Sequence, residues 1–404
     1  MLLKEDLEKI VLDQQDNILK YDKGMTRKKL KEINLNVKFA TVIMGIRRSG
    51  KSTLLNQLMK SKFYYLNFED PRLVDFKTKD FERLNEVFIS TLGKTDYYFF
   101  DEIQNVEKWE IFVRWLLEKN KKVVITGSNA SLLSKELGTR LTGRHIDYEL
   151  FPFSYNEFLK YTKTEKNVKT YIEYLNRGGL PEYLKTNNEE SFQILLNDIL
   201  MRDVALRHNI KNHKILYEMI IYLFSNVSKE FTYNSLLKIF EIGSINTIIS
   251  FISHFEDSYL LFTIPRFDYS LKKMIRSPKK VYCIDTGLCK NTSLSSSEDM
   301  GRIFENSIFL HLRRKNKNIY YHKDEKECDF IIKEKNKITN AIQVCYDLTK
   351  DNNEREFKGL LEAMYKFSLK EGYLVTMDKE DKIKHEDKII HIIPAWKFCS
   401  SKFI

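Results

Sequence analysis

Residues Gly45 to Ser52 read Gly-Ile-Arg-Arg-Ser-Gly-Lys-Ser, so two glycines five positions apart are followed by a lysine and a hydroxyl side chain. The apolar run 40–44 precedes this segment, and residues 53–59 continue it with the spacing of a helix. The glycines let the backbone curl so that its N–H groups point at one anion, which also faces the helix N-terminus. The lysine can reach a β/γ-phosphate, and the hydroxyl can bind Mg²⁺. The pattern therefore predicts a strand–loop–helix unit that binds a nucleoside triphosphate.

A second part of this site is predicted at Asp101 and Glu102. Four aromatic residues, 97–100, indicate a buried strand of a parallel sheet with both acids at its carboxyl end, where open α/β sheets bind ligands. We expect Asp101 to hold Mg²⁺ through its hydration shell and Glu102 to polarise the attacking water. The predicted metal ligands are Ser52 and Asp101, and the predicted nucleotide contacts are Gly45, Arg48, Ser49, Gly50, Lys51, Ser52, Thr53 and Asp101.

Polar and basic residues beyond the next predicted strand, 122–126, complete the expected catalytic set. We expect Asn129 to reach the γ-phosphate and the water; Ser128 is the alternative, and Asn129 could instead cap a turn. Arg140 and Arg144 follow, and a positioned arginine contributes roughly 10³–10⁵ in rate to phosphoryl transfer. Each could act in this subunit or in a neighbour, or could be a surface ion-pair partner. The predicted catalytic residues are Glu102, Asn129, Arg140 and Arg144.

Together these motifs resemble those of a large family of prokaryotic AAA-type ATPases. The resemblance covers nearly the whole chain and rests on residues 45–55, 67–73, 101–104, 109–110, 126–129, 140–144, 178–182 and 202–203. It implies ATP as the nucleotide, a lid over it in the middle of the chain, and a C-terminal domain of unassigned function. We therefore expect a Mg²⁺-dependent ATPase of slow turnover whose nucleotide state moves the lid and the C-terminal domain.

The middle of the chain contains three predicted helices and two apolar strands, an order that resembles a winged helix; these are 215–227, 233–240, 244–258, 259–264 and 281–284. The third helix has no Lys or Arg and contains Glu256 and Asp257, so it does not favour contacts to phosphates. The segment Arg266–Lys280 is basic instead, with six Lys or Arg against one Asp. DNA is therefore a candidate partner through this wing, and protein docking is the alternative use.

The last part of the chain resembles the restriction-endonuclease-like fold. Glu305 on a predicted helix and Asp329 on a predicted strand occupy the acidic positions of that fold. Where active members have Glu-x-Lys on the next strand, this chain has Gln343-Val344-Cys345. Gln is a neutral, weaker ligand for a hard cation, and Cys cannot supply the charge of a lysine. We expect little or no DNA cleavage, with the two acids binding a metal or forming an ion-pair cluster.

The 404 residues are thus expected to form an α/β protein in three parts. The parts are an AAA-type parallel-sheet core with an N-terminal helix at 1–160, a helical lid and winged-helix-like region at 161–290, and a smaller α/β restriction-endonuclease-like domain at 291–404. A polar, Lys/Thr-rich stretch, 160–170, is the predicted linker after the core.

Composition limits the compartment and the partners. Five scattered cysteines without a Cys-x-x-Cys pair suit reduced thiols, and no run approaches ~20 apolar residues, so we expect a cytoplasmic protein without a membrane span. The net charge of +11 permits nucleic-acid contact. A protein partner and a homo-oligomer are also compatible with the sequence. The alternatives to an ATPase are a nucleotide-gated switch or docking protein with negligible hydrolysis, and a DNA-processing nuclease-ATPase.

Overall fold

The computed structural model describes residues 2–59, 62–128, 143–293 and 300–401. The chain forms two compact units: one comprises Met1–Leu150 with Asp257–Tyr259, and the other comprises Phe151–Glu256 with Leu260–Ile404. Within the described ranges, no helix combines the length and the apolar character needed to cross a membrane.

The first unit contains a five-stranded sheet in the order β2-β3-β4-β1-β5, and all of its neighbouring strands are parallel. The strands are β1 (Ala40–Met44), β2 (Tyr64–Asn67), β3 (Tyr97–Asp101), β4 (Lys122–Gly127) and β5 (His145–Glu149). All five residues of β1 are buried, as expected for a central parallel strand that is covered on both faces.

In the described part of this unit, four α-helices and three short 3₁₀ turns accompany these strands. The helices are α1 (Lys4–Lys20), α2 (Lys51–Leu58), α3 (Asp80–Leu92) and α4 (Trp109–Glu118), and the turns are Lys28–Lys31, Pro71–Leu73 and Ile103–Asn105. Leu54 and Leu55 of α2 lie in one buried cluster with Ile43, Phe99 and Val124 of the three central strands. Because each such buried side chain contributes about 1.5–3 kcal/mol, this cluster holds α2 firmly against the sheet, directly after the Gly45–Ser52 loop.

The second unit begins with a helical region. Its helices are α5 (Tyr155–Thr162), α6 (Val168–Arg177), α7 (Pro181–Thr186), α8 (Glu190–Asp198), a π-helical segment (Ile199–Leu206), α9 (His213–Ser225), α10 (Tyr233–Ile239), α11 (Ile245–Asp257), α12 (Leu271–Arg276) and α13 (Thr286–Thr292). An antiparallel sheet in the order β6-β8-β7 lies among them, formed by Glu230–Phe231, Lys279–Cys283 and Leu261–Pro265 respectively. The three predicted helices and two predicted strands of this region are confirmed to within about two residues at each end.

The predicted linker at 160–170 is helical at both ends, and only residues 163–167 of it lie outside a helix. Helix α5 continues to Thr162, and α6 begins at Val168, where the Asn167 side chain accepts the Thr170 N–H and the Thr170 hydroxyl accepts the Asn167 N–H. The polar composition therefore reflects helix caps, which favour Asn and Thr. The division into three parts at residues 160 and 290 stays a prediction; residue 160 itself lies inside α5.

A six-stranded sheet forms the C-terminal part of this unit, in the order β13-β14-β12-β11-β10-β9. The strands are β9 (Ile319–Lys323), β10 (Glu327–Glu334), β11 (Lys337–Cys345), β12 (Glu371–Thr376), β13 (Asp381–His385) and β14 (Lys388–Pro394). Strand β10 is antiparallel to both of its neighbours, β9 and β11, whereas β12 runs parallel to β11. Three helices accompany the sheet: α14 (Met300–Arg313), α15 (Lys350–Lys366) and α16 (Ala395–Ser400). The predicted α/β class, with a parallel sheet, a helical middle and a separate C-terminal sheet, is confirmed.

Candidate active site

Two glycines shape the loop between β1 and α2. Gly50 precedes α2 in a left-handed conformation, with φ 93° and ψ 29°, which glycine adopts without the steric penalty of a Cβ. At Gly45 a Cβ would overlap the carbonyl oxygen of Leu150. Helix α2 begins at Lys51, and the first N–H groups of a helix have no intrahelical partner. The loop therefore leads directly into a helix N-terminus, which favours a bound anion.

Two buried side chains of the loop suit a phosphate ligand. Ser49 is fully buried, and its Oγ has no hydrogen-bond partner among the residues that the structure describes. The Nζ of Lys51 donates to the carbonyl oxygens of Gly45 (3.1 Å) and Ile46 (3.3 Å) and lies 3.4 Å from Glu102 Oε1. Phosphate oxygens would give Ser49 its missing partner and would offer the ammonium stronger, charge-assisted hydrogen bonds than the two carbonyls.

Asp101 ends β3 in a fully enclosed position. The Thr126 hydroxyl donates to its Oδ1, and the Ser52 hydroxyl is another hydrogen-bond partner. Burial raises the pKa of Asp101, with a contribution from the neighbouring Glu102 charge, although Ser52, Thr126 and Lys51 pull it down. Ser52 and Asp101 thus present adjacent oxygen donors, the ligand type that Mg²⁺ prefers. The residues fit the predicted ion in chemistry and in position.

Glu102 follows directly and has a different electrostatic environment. Burial alone would raise its pKa, but Lys51, the Gln104 amide and the Arg47 charge together outweigh burial and lower it. The Gln104 Nε2 donates to Oε2 at 2.5 Å. Glu102 is therefore an ionised carboxylate inside the protein, the state that a water-polarising base requires.

Sequence reasoning missed two residues of this site. Thr126 connects the neighbouring acids, because it also accepts the Glu102 N–H at 3.0 Å. As a β-branched residue that ends an apolar run, it gives only the signal of a strand. Arg27 is buried and donates from Nη1 to the Ser49 carbonyl at 2.7 Å, which stabilises the backbone of the loop. Arg27 lies in a polar segment before β1, and no motif in that segment marks it as part of the site.

The Asn67–Leu73 motif has a structural explanation. The Gln14 side chain of α1 accepts the Asn67 N–H at 2.7 Å and donates to Asp70 at 2.9 Å. Arg72 donates to both Asp70 and Asp13, each at 2.7 Å, and chiefly through this arginine the pKa of Asp70 is lowered to about 2. These contacts join α1 to the segment that follows β2. A cavity of about 650 Å³ lies between them and reaches Ser52 and Asp101.

The other predicted residues divide into three groups. Thr53 lies in the first turn of α2, and Arg48 lies in the loop with a positive φ of 63°.

Arg144 is not brought to the loop of its own chain. Its carbonyl accepts the N–H of Ala40 at 3.0 Å, which places it at the amino end of β1, roughly 13 Å along the strand from the loop. Its half-exposed guanidinium lies 3.9 Å from Glu118. Asn129 and Arg140 lie outside the described residues, whereas the alternative Ser128 is buried after β4.

Comparison with protein families identifies three consecutive regions. Residues 38–159 match an AAA domain. Residues 168–299 match a domain of unknown function, DUF8612, and residues 300–398 match another, DUF4143. The sheet, the loop and the acidic pair described above all lie in the first unit and within the AAA match.

Similar whole proteins and solved structures were also found. A solved STAND ATPase with a tetratricopeptide repeat sensor, PH0952 from Pyrococcus horikoshii, has a TM-score of 0.29 at 15% identity over 72% of this chain and 46% of its own. AMPPCP-bound DnaA from Aquifex aeolicus has a TM-score of 0.28 at 16% identity over 57% of this chain and 85% of its own. An uncharacterized protein of Haemophilus influenzae is 30% identical over 79% of this chain and 85% of its own. The uncharacterized protein MJ1544 of Methanocaldococcus jannaschii is 38% identical over 92% of each chain. The chain therefore belongs to the same family as MJ1544, and its first unit carries an AAA domain.

Proposed function

We propose that this protein is a Mg²⁺-dependent ATPase. The observation that carries the proposal is the position of Lys51 Nζ, 3.4 Å from the ionised Glu102 carboxylate and beside the Ser52–Asp101 pair. One edge of the sheet thus brings together a phosphate-binding cation, a base and two oxygen ligands. A protein that only bound a nucleotide would need the first and the last of these, but not a buried ionised base.

Each residue has a distinct role in this proposal. Lys51 and the Ser49 hydroxyl bind the phosphates, together with the backbone N–H groups of the loop. Ser52 and Asp101 hold Mg²⁺, which when bound neutralises charge on the phosphate oxygens. Glu102 orients and polarises the attacking water. Thr126 orients both acids, because its hydroxyl donates to the Asp101 carboxylate and accepts the backbone N–H of Glu102.

Lys51 and Glu102 are coupled in this scheme. The ammonium that lowers the pKa of Glu102 is the same group that would contact a β/γ-phosphate. A bound triphosphate would compete for Lys51 and weaken its hold on Glu102, which leaves the carboxylate accessible to water. Binding would in this way prepare the base for hydrolysis.

The remaining catalytic groups would come from residues 128–144. Asn129 is the proposed sensor, with Ser128 as the alternative. Arg144 lies at the amino end of β1, so it would act on the site of a neighbouring subunit, and Arg140 is the second candidate for that role. A homo-oligomer is therefore part of the proposal, as is coupling of nucleotide state to the lid and the C-terminal domain.

For the C-terminal part we propose a restriction-endonuclease-like fold that does not cleave DNA. The order α14, three antiparallel strands, α15 and a parallel strand supports the fold. Gln343 stands where a metal-binding acid is expected, and its amide donates to Glu356 Oε2 at 2.7 Å. Cys345 follows in place of the lysine, and burial raises the pKa of its thiol to about 12, so it carries no charge.

DNA remains a proposed partner of the segment Arg266–Lys280, but with fewer cations than the sequence indicated. Lys280 is buried, Lys279 donates to the Tyr233 hydroxyl at 2.7 Å, and Arg266 pairs with Asp324 at 2.8 Å. These three cations of the basic segment are thus engaged within the protein, and Lys273 lies 3.8 Å from Asp268. The exposed cations that remain are on α12, namely Lys272, Lys273 and Arg276.

The test is the Glu102→Gln variant, assayed for ATP binding and for Mg²⁺-dependent hydrolysis. We expect binding within about threefold of the wild type, with turnover reduced roughly 10²–10⁴-fold, the usual contribution of a positioned acid or base. Glu107→Gln, at an exposed position five residues further on, is the matched control and should keep full activity. Equal hydrolysis by the wild type and Glu102→Gln would show that Glu102 is not the water-polarising base. Nucleotide binding by the wild type with negligible hydrolysis would instead favour a nucleotide-gated switch or docking protein.

A further inference from the structure

One lysine and three carboxylates meet inside the second unit. The Nζ of Lys280 lies 2.7 Å from Glu327 Oε1, 2.9 Å from Asp329 Oδ1 and 3.1 Å from Glu305 Oε1. Only 2% of Lys280 is exposed. Three acidic side chains from two elements, α14 and β10, therefore converge on one ammonium group that comes from a third element, β8.

The backbone of this lysine is fixed. Lys280 is in β8, the central strand of its sheet, and it is paired with Glu230 on β6 and with Ile264 on β7. On the opposite side, Glu327 and Asp329 are two positions apart on β10, so they share a face of that strand. Lys280 and the two acids of β10 therefore belong to hydrogen-bonded sheets, and these sheets fix the position of the ammonium.

Other donors also contact these acids, at the same Oε1 in Glu305 and at the second carboxylate oxygen in Asp329 and Glu327. The Tyr282 hydroxyl donates to Glu305 at 2.7 Å, and the Val344 N–H donates to Asp329 Oδ2 at 3.0 Å. Lys323 lies 3.3 Å from Glu327 Oε2 and also donates to Glu230 at 2.9 Å. The acids are thus held in one arrangement by hydrogen bonds, as a buried polar network requires.

The charges are consistent with a cation fixed at the centre. Burial would lower the pKa of Lys280, but Asp329, Glu305 and Glu327 outweigh burial and raise it, so the lysine stays charged. Burial and the Asp329 charge raise the pKa of Glu305 to about 8, because like charges this close disfavour each other. Three buried carboxylates without a central cation would be strongly destabilising.

The Lys280 ammonium lies where a metal ion bound to the three acids would have to lie. A divalent ion held by Glu305, Glu327 and Asp329 would need the space between their oxygens, and Lys280 Nζ fills that space. The contacts of 2.7–3.1 Å are those of N–H···O hydrogen bonds, whereas Mg²⁺ and Ca²⁺ bind oxygens at about 2.0–2.6 Å. Gln343, which accepts the Asp329 N–H at 3.3 Å, adds no negative charge for a metal.

We propose that Lys280 is the resident cation of this carboxylate cluster. It takes the position of a divalent metal, so the wild-type protein binds none there, and it fastens the β6-β8-β7 sheet to the C-terminal sheet. The opposite assignment makes Lys280 a catalytic lysine that moves aside for a metal bound to the same acids. The two assignments predict opposite results for metal binding.

The experiment is a Mn²⁺ titration of the full chain without nucleotide, followed by electron paramagnetic resonance and by the melting temperature. Variants are Lys280→Met, Lys280→Met with Asp329→Asn, and Asp329→Asn alone. Lys279→Met, the next residue on β8, is the matched control. We expect Asp329→Asn alone to leave Mn²⁺ binding unchanged from the wild type. We expect Lys280→Met to melt roughly 10 °C lower, to bind one additional Mn²⁺ and to recover part of its stability with the metal. Adding Asp329→Asn should remove that additional Mn²⁺.

Two metal-dependent results would overturn the proposal. One is a Mn²⁺ ion bound by the wild type and lost in Asp329→Asn, a comparison that needs no folded Lys280 variant. The other is Mn²⁺-dependent plasmid nicking by the wild type that disappears in Lys280→Met but persists in Lys279→Met. A melting temperature of Lys280→Met equal to that of the wild type would also contradict the role of Lys280 as a fastening cation.

Discussion

The hydroxyl of Thr126 donates to the Asp101 carboxylate across the boundary between β4 and β3, and the same oxygen accepts the N–H of the next residue, Glu102, at 3.0 Å. One uncharged side chain therefore orients a predicted metal ligand and a predicted base together. We expect Thr126→Val, which keeps the shape but loses the hydroxyl, to leave the Glu102 N–H unpaired and to remove one hydrogen bond from Asp101. An unpaired buried polar group costs about 1–3 kcal/mol.

Thr126→Val should lower the free energy of unfolding of the first unit by that amount in urea titrations, and it should also lower ATP turnover. Thr126→Ser retains the hydroxyl and is the control, for which we expect turnover close to the wild-type value. If Thr126→Val had wild-type turnover, the hydroxyl would have no role in positioning the acids.

Lys51→Met tests the phosphate-binding cation. Charge-assisted hydrogen bonds contribute about 1.5–3 kcal/mol each, so we expect ATP affinity to fall at least roughly 100-fold in a fluorescent-nucleotide titration. The substitution also leaves Glu102 without the ammonium that lowers its pKa, which should lower the melting temperature. Adding Glu102→Gln to Lys51→Met should restore part of the stability but none of the affinity, and recovery of affinity would contradict the role given to Lys51.

Gly50→Ala tests the left-handed turn into α2. At φ 93° a Cβ carries a steric penalty of roughly 1–2 kcal/mol, so we expect lower stability together with weaker ATP binding, because the loop must distort. Gly243→Ala is a matched control, since a Cβ there meets nothing within 4 Å, and its stability should stay within about 0.5 kcal/mol of wild type. Unchanged ATP affinity in Gly50→Ala would show that the turn tolerates a side chain.

The buried Glu305 predicts a pH dependence of the second unit. Its pKa rises from the ordinary 4.5 to about 8 in the folded protein, so the folded state holds a proton that the unfolded state has released. Between pH 4.5 and 8 its contribution to stability should therefore fall as pH rises, by at most about 1.4 kcal/mol per pH unit. Melting curves from pH 5 to 9 should show a smaller fall for Glu305→Gln, whereas Glu354→Gln, an exposed control on α15, should behave as the wild type.

Arg144 provides a test of oligomerisation. If it acts in a neighbouring site, the ATPase rate per subunit should rise with protein concentration, and Arg144→Ala should lower the rate at every concentration. Arg114→Ala is the control, because Arg114 pairs with the same Glu118 at 3.0 Å but is not a predicted catalytic residue. Mixing Arg144→Ala with Glu102→Gln should restore some activity if one subunit supplies the arginine and the other the base.

Local patterns in the sequence were sufficient for the loop of the first unit. The spacing of Gly45, Gly50 and Lys51 follows from what one backbone turn needs, so the sequence alone predicted the strand, the loop and the helix. Asp101 and Glu102 were predicted for a similar reason, since acids at the end of an apolar strand reach the binding edge of a parallel sheet.

The residues that sequence reasoning missed or misplaced depend on distant partners. Arg27 contacts a carbonyl 22 positions away, and Lys280 meets acids that are 25 to 49 positions away. The sequence grouped Lys280 with the other basic residues of an exposed wing. Composition shows that a residue is charged, but it does not show which face of a strand the side chain is on. For Arg144 the sequence left open an action in its own subunit or in a neighbour, and the pairing of β5 with β1 puts it at the other end of the sheet from the loop.

The position of Lys280 also affects the register in which β8 pairs with β6 and β7. Side chains alternate along a strand, so Lys279 and Lys280 point to opposite faces, and a slip of one residue would exchange them. Such a slip would move the ammonium away from Glu305, Glu327 and Asp329 and would leave a buried carboxylate cluster uncompensated. The cluster therefore selects one alignment of β8 with β6 and β7 over its neighbours, and electrostatics enforces a register that these short strands would specify only weakly by themselves.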